Sequence, residues 1–83
     1  MNGQEFRATV LQQFARIGQA FASTSRLEIL DLLSQGERDV ESLANETGLS
    51  VANTSRHLQL LKGAHLVECR KDGVHAYYRL ANP

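Results

Sequence analysis

The chain has 83 residues, 42% of them apolar and 22% charged, with nine basic residues against nine acidic ones. That composition is ordinary for a globular protein and argues against disorder, and no apolar run approaches the roughly 20 residues of a membrane span or the order of a secretory leader, so a cytoplasmic protein without a membrane partner is expected. A single cysteine, Cys69, excludes an internal disulfide and any paired-cysteine metal or redox motif.

Residues 1–83 read as one domain, near the lower size at which a hydrophobic core closes unaided, which favours self-association. The net charge of zero is unevenly distributed. Residues 1–49 carry a balance of −3, and residues 50–83 a balance of +3 together with all three histidines. A segregated basic half is the electrostatic footprint of a polyanion partner. Binding to it is expected to be salt-sensitive and to depend on doubling the charge in a dimer.

In residues 4–21, Phe6, Val10, Phe14, Ile17 and Phe21 recur at steps of four, four, three and four, an amphipathic helical stripe. On so short a chain this stripe covers either the core or a second copy, and a homodimer interface is the functional expectation. Ser23 or Thr24 caps a second helix, whose dense set Leu27, Ile29, Leu30, Leu32 and Leu33 predicts a central buried element. Gln35-Gly36 ends it. Glu37-Arg38-Asp39 is a charged connector able to pair as a third strand, and Asp39 caps a short helix with Val40, Leu43 and Ala44 inward. Gly48 breaks that helix, Leu49 turns inward, and Ser50 caps the next one.

In Ser50–Val67 the positions Val51, Thr54, Leu58 and Leu61 share one face, while Ala52, Asn53, Arg56 and Gln59 share the other, with Ser55 and His57 at its margins. Arg bonds guanine bidentately, Asn and Gln do the same with adenine, and a small Ala lets the backbone approach. Short helix, glycine turn and polar second helix over residues 40–64 make a helix-turn-helix. Alternating runs about Asp72-Gly73 then predict a hairpin over residues 66–80, with Val67, Cys69, Ala76, Tyr78 and Leu80 inward. Its tip would offer Arg70 and Lys71 to phosphate or a minor groove. The fold expected is mainly α with a small β-hairpin, a winged helix-turn-helix of order α-α-α-α-β-β. The function expected is double-stranded DNA binding, the rival being a winged helix used only for protein interaction.

The run from Thr24 to Leu80 resembles the ArsR/SmtB winged-helix repressors of bacteria. The likeness rests on the buried SRLEILDLL helix, the LANETGLSVANTSRHLQLLKGAHLV block and the DGVHAYYRL hairpin, and covers about two thirds of the chain. It implies a homodimer that binds an operator and is released by an inducer, here unknown. It places Ser50, Asn53, Ser55, Arg56 and His57 where the family contacts DNA, and Arg70 and Lys71 on the wing. The chain departs from the family at three points. Asp39-Val40-Glu41 stands where metal sensors carry a Cys-Val-Cys box, so thiolate sensing of soft metals there is not expected. His65 replaces a glycine and is read as a substitute helix cap, since His tolerates the left-handed conformation better than most residues. The family continues with a C-terminal helix, which is not expected within these 83 residues, whether they are the whole protein or a fragment of it.

Cys69 reads first as a small buried hydrophobe; the sharper reading is a redox sensor, since Arg70 and Lys71 favour its thiolate where solvent reaches it. His57, His65 and His75 are scattered rather than clustered, so neither a metal nor a cofactor is expected. Catalytic motifs are missing, and Ser55 and His57, two apart on a helix, do not face each other. An enzyme is therefore not expected.

Overall fold

In a computed structural model the described residues are 2–82; the chain end at Pro83, and with it the expected loss of a further helix, lies outside them. The elements run α1 (Gly3–Phe21), α2 (Thr24–Ser34), β1 (Arg38–Asp39), α3 (Val40–Thr47), α4 (Val51–Gly63), β2 (Val67–Asp72) and β3 (His75–Leu80). Each helix start has a side-chain oxygen on its free amides, the role for which short polar residues are selected at that position. Asn2 and Glu5 form a reciprocal capping box on α1. Ser23 accepts from the amide of Arg26 at 3.3 Å, Asp39 from Ser42 at 2.8 Å and Ser50 from Asn53 at 3.1 Å.

The three-stranded sheet has the order β1-β3-β2, all antiparallel, with Arg38 opposite Tyr78 and Cys69 opposite Tyr78 on the other side. The connector before α3 thus does pair as a third strand, and the architecture is the mainly helical winged helix-turn-helix that the sequence predicts. The hairpin loop falls at Gly73-Val74, with Gly73 at φ +61°, one residue beyond the Asp72-Gly73 centre expected. Asp72 remains in the ladder opposite His75.

The core gathers Ile29 and Leu33 of α2, Leu43 of α3, Leu58 and Leu61 of α4, Val67 of β2 and Tyr78 of β3. Thr54 is fully buried among them and returns its hydroxyl to the Ser50 carbonyl at 2.9 Å, which satisfies the one buried polar side chain in that face of α4. Three inward assignments need correction. Val51 is 51% exposed, because at the first turn of α4 its side of the helix has already passed the edge of the core. Leu27 is exposed for the same reason at the start of α2, so that helix is central through buried Ile29 and Leu33, with Leu30 and Leu32 half-buried against the core. Leu80 is exposed at the end of the sheet.

The turn between α3 and α4 depends on Gly48 at φ +74°, a left-handed conformation that costs a residue with a Cβ about 1–2 kcal/mol. Nothing lies within 4 Å of a Cβ built there, so the cost is conformational alone. Gly48→Ala should lower unfolding stability by about 1 kcal/mol in urea titrations, without altering the folded spectrum. His65 occupies the same conformation at φ 62°, in keeping with its reading as a substitute for glycine after α4.

Candidate nucleic-acid interface

Helix α4 presents Ala52, Asn53 and Arg56 to solvent over its first two turns. The Arg56 guanidinium donates to the Asn53 side-chain Oδ1 at 3.0 Å, an i, i+3 contact that holds both polar groups on the outer face. Ser50 is exposed at the cap. Ser55 is half-buried and lines a shallow groove between α4 and the wing, with Val51, Val74, His75 and Ala76.

Two residues of the expected set also have partners within the chain. Gln59 donates its amide to the Tyr78 hydroxyl at 3.3 Å and borders the seam between α4 and α1. His57 is half-buried and meets Arg26 through Nδ1 at 3.1 Å. Arg26 can only donate, so Nδ1 is the acceptor and the imidazole proton sits on Nε2. The other Arg26 nitrogens donate to the carbonyls of Ala20 at 3.1 Å and Gln19 at 2.7 Å. One guanidinium therefore closes the end of α1 and fixes α4 against it. No pattern of apolar spacing could have revealed this role of Arg26, although its place just after a hydroxyl cap is legible.

Burial, with the Arg26 and Arg56 charges, holds the His57 pKa below its ordinary value of about 6.5. The unfolded chain then takes up a proton that the folded chain resists, so stability is highest above about pH 6.5 and falls as the pH drops below it, levelling off beneath the folded pKa. Thermal melts across this range should show the decline. His57→Gln, whose amide oxygen can still accept from Arg26, should lose that part of the slope.

The wing separates the two basic residues assigned to its tip. Successive strand residues point to opposite faces: Lys71 pairs with Ala76 on the core-facing side and Arg70 with Tyr77 on the other. Arg70 donates to Glu37 at 2.6 Å, lies 3.7 Å from Asp72 and stacks on Tyr77 with its guanidinium carbon 4.7 Å from the ring centroid. The Arg70 hydrogen bond draws the Glu37 pKa down, and the Glu37 carboxylate raises that of Arg70. Arg79 is likewise paired, with Glu68 at 3.0 Å. Among the described residues Arg56 and Lys71 form no ion pair.

Cys69 is half-buried beside Tyr78, and the neighbouring Arg70 is held on the opposite face by Glu37. Burial first, then Cys69, raises the Tyr78 pKa, which a hydrogen bond from Gln59 partly offsets. Among the described residues no group of three or more His, Cys, Asp or Glu is placed to hold a metal, and no helix is long and apolar enough to cross a membrane.

On α1, only Ala20 is buried. Val10 is half-buried, while Phe6 at 63% exposure, Phe14 at 66%, Ile17 and Phe21 are uncovered. The stripe is therefore not core of the single chain.

A helix-turn-helix with an exposed amide and guanidinium face, flanked by a β-wing, defines the winged helix-turn-helix class of domain. The profile of the bacterial regulatory protein arsR family matches residues 23–68, and the chain belongs to that family. It is 51% identical over 82 residues to the HTH-type transcriptional regulator Rv0324 of Mycobacterium tuberculosis, covering 98% of this chain and 36% of the relative. It is 38% identical to the regulator KmtR of the same organism, over 74% of this chain and 47% of the relative. The chain thus spans between a third and a half of these relatives. Among solved structures, the homodimeric winged helix-turn-helix DNA-binding domain Mb0332 of Mycobacterium bovis, a possible ArsR-family regulator, superposes with a TM-score of 0.87 at 49% identity. That match covers 99% of this chain and 77% of the other. NolR of Sinorhizobium fredii gives 0.80 at 33% identity, covering 99% and 80%.

Proposed function

We propose that the chain acts as a homodimeric, inducer-released repressor of transcription. Two copies join along the α1 stripe and set their α4 helices about 34 Å apart, one turn of duplex, for successive major grooves of an inverted repeat. Asn53 and Arg56 read base edges, Ala52 allows close approach, Ser50 and Ser55 bond the flanking backbone, and Lys71 adds a phosphate contact from the wing. Gln59, His57 and Arg70 position the elements around this surface, through Tyr78, Arg26 and Glu37. Occupation of the operator blocks polymerase, and an inducer releases the DNA only to the extent that it favours a dimer geometry with the wrong spacing.

The observation that carries this reading is the Asn53–Arg56 pair, exposed on the first turns of α4. The homodimer described for the Mycobacterium bovis domain supports the assembly. Selection of bound duplexes from a random pool tests it: recovered sites should be inverted repeats with half-site centres about 10 base pairs apart. Single half-sites, or no enrichment, overturn it.

A further inference from the structure

Helices α1 and α4 flank a half-open cavity of about 170 Å³, lined by Arg16, Gln19, Ala20, Gln59, Leu60 and Gly63. We propose that it is an effector site for a small monocarboxylate with an apolar body. The inference rests on the regulator reading above and supplies its missing inducer class.

The charge of the lining selects the ligand. Arg16 is its one ionised side chain, with no carboxylate and no second cation among the lining residues, so a single negative charge is matched and a dianion is not. Among the described residues Arg16 is held only by a long bond, from Nη1 to the Gly63 carbonyl at 3.4 Å. Most of its planar fork is left for bidentate contact with a carboxylate. Ala20, Leu60 and the glycine backbone form an apolar wall, and Leu60 is a large aliphatic side chain left 39% exposed. The two glutamine amides border the rim. A charged group at one end, an apolar wall and a few polar atoms are the usual make-up of a small-molecule site.

The place of the pocket gives it a consequence for DNA. At about 100° per residue, Arg16 and Gln19 lie roughly 120° and 180° around α1 from the middle of the Phe6–Phe21 stripe. Pairing of two copies along that stripe leaves the pocket open. One wall belongs to the helix that joins the copies and the other to the helix that reads DNA. A carboxylate that draws Arg16 from the Gly63 carbonyl removes a tie between them at the C-terminal turn of α4, which changes how α4 is carried by the dimer.

Benzoate is the probe, and two-dimensional amide NMR of the whole chain is the readout. Saturable shifts are expected, centred on Arg16, Gln19, Gln59 and Gly63; benzamide, its uncharged counterpart, should produce none. Arg16→Gln should fold and dimerise as before and lose the benzoate response. Saturating benzoate should weaken duplex binding about five-fold or more, and leave Arg16→Gln unaffected. Equal binding of benzamide, a response surviving in Arg16→Gln, unsaturable shifts, or saturation without loss of duplex affinity would each overturn the proposal. Lack of duplex binding in the absence of benzoate would instead sink the regulator reading, so the two failures are separable.

Discussion

Replacing Phe14 by glutamate should turn a dimer into a monomer and weaken binding to a two-half-site duplex by about 10²–10⁴-fold, the usual gain from tethering two weak sites. Phe14 is 66% exposed, in the middle of the α1 stripe, and contributes nothing to the core of its own subunit. The substituted subunit should therefore fold with an unchanged melting profile, provided melts are compared below the concentration at which the parent chain pairs. A carboxylate there would have to be buried without a partner at the seam between copies, a penalty of several kcal/mol that association cannot offset. Sedimentation measures the assembly and fluorescence anisotropy the duplex affinity. Retention of a dimer by Phe14→Glu would move the interface elsewhere; loss of the dimer without loss of affinity would show that one subunit suffices.

Arg56→Ala should reduce affinity for the selected operator by about 1–3 kcal/mol and relax the preference at one base pair. Arg56 is exposed, forms no ion pair among the described residues, and is oriented by the Asn53 side-chain oxygen at 3.0 Å. Asn53→Ala should weaken binding through its own lost base contact and through the freed Arg56, so the double substitution should cost less than the two single ones together. Binding series across single-base operator variants separate the readings. Equal weakening on every duplex would make Arg56 a phosphate contact and shift the reading of sequence to other residues.

The helices and their limits were legible because each is bounded by a local rule. Ser23, Asp39 and Ser50 cap where short oxygen-bearing side chains can reach the amides two or three residues on. The β1 connector could be read as a possible strand since its charged residues lie next to a hairpin edge. Periodicity failed at Val51 and Leu27, because it gives the angle of a side chain but not whether the core extends that far along the helix. Within the candidate site, Ala52, Asn53 and Arg56 follow directly from the helical repeat. The diversion of Gln59 to Tyr78 depends on a strand some twenty residues away, and so was not legible. Arg70 differs in this respect: strand alternation alone separates it from Lys71, and that signal was available. The Arg26 clasp on His57 joins residues 31 apart through the ends of long side chains, which no short-range rule encodes.

The self-pairing of the wing arginines bears on how such a protein would search a genome. With Arg70 and Arg79 paired at the surface with Glu37 and Glu68, Arg56, Lys62 and Lys71 are the basic residues of this half left without an ion pair among the described residues, and each phosphate contact forgone lowers the salt slope of binding by about one. Attachment to arbitrary sequence should then be brief even at low ionic strength, and lasting occupancy should require base contacts made by both subunits together.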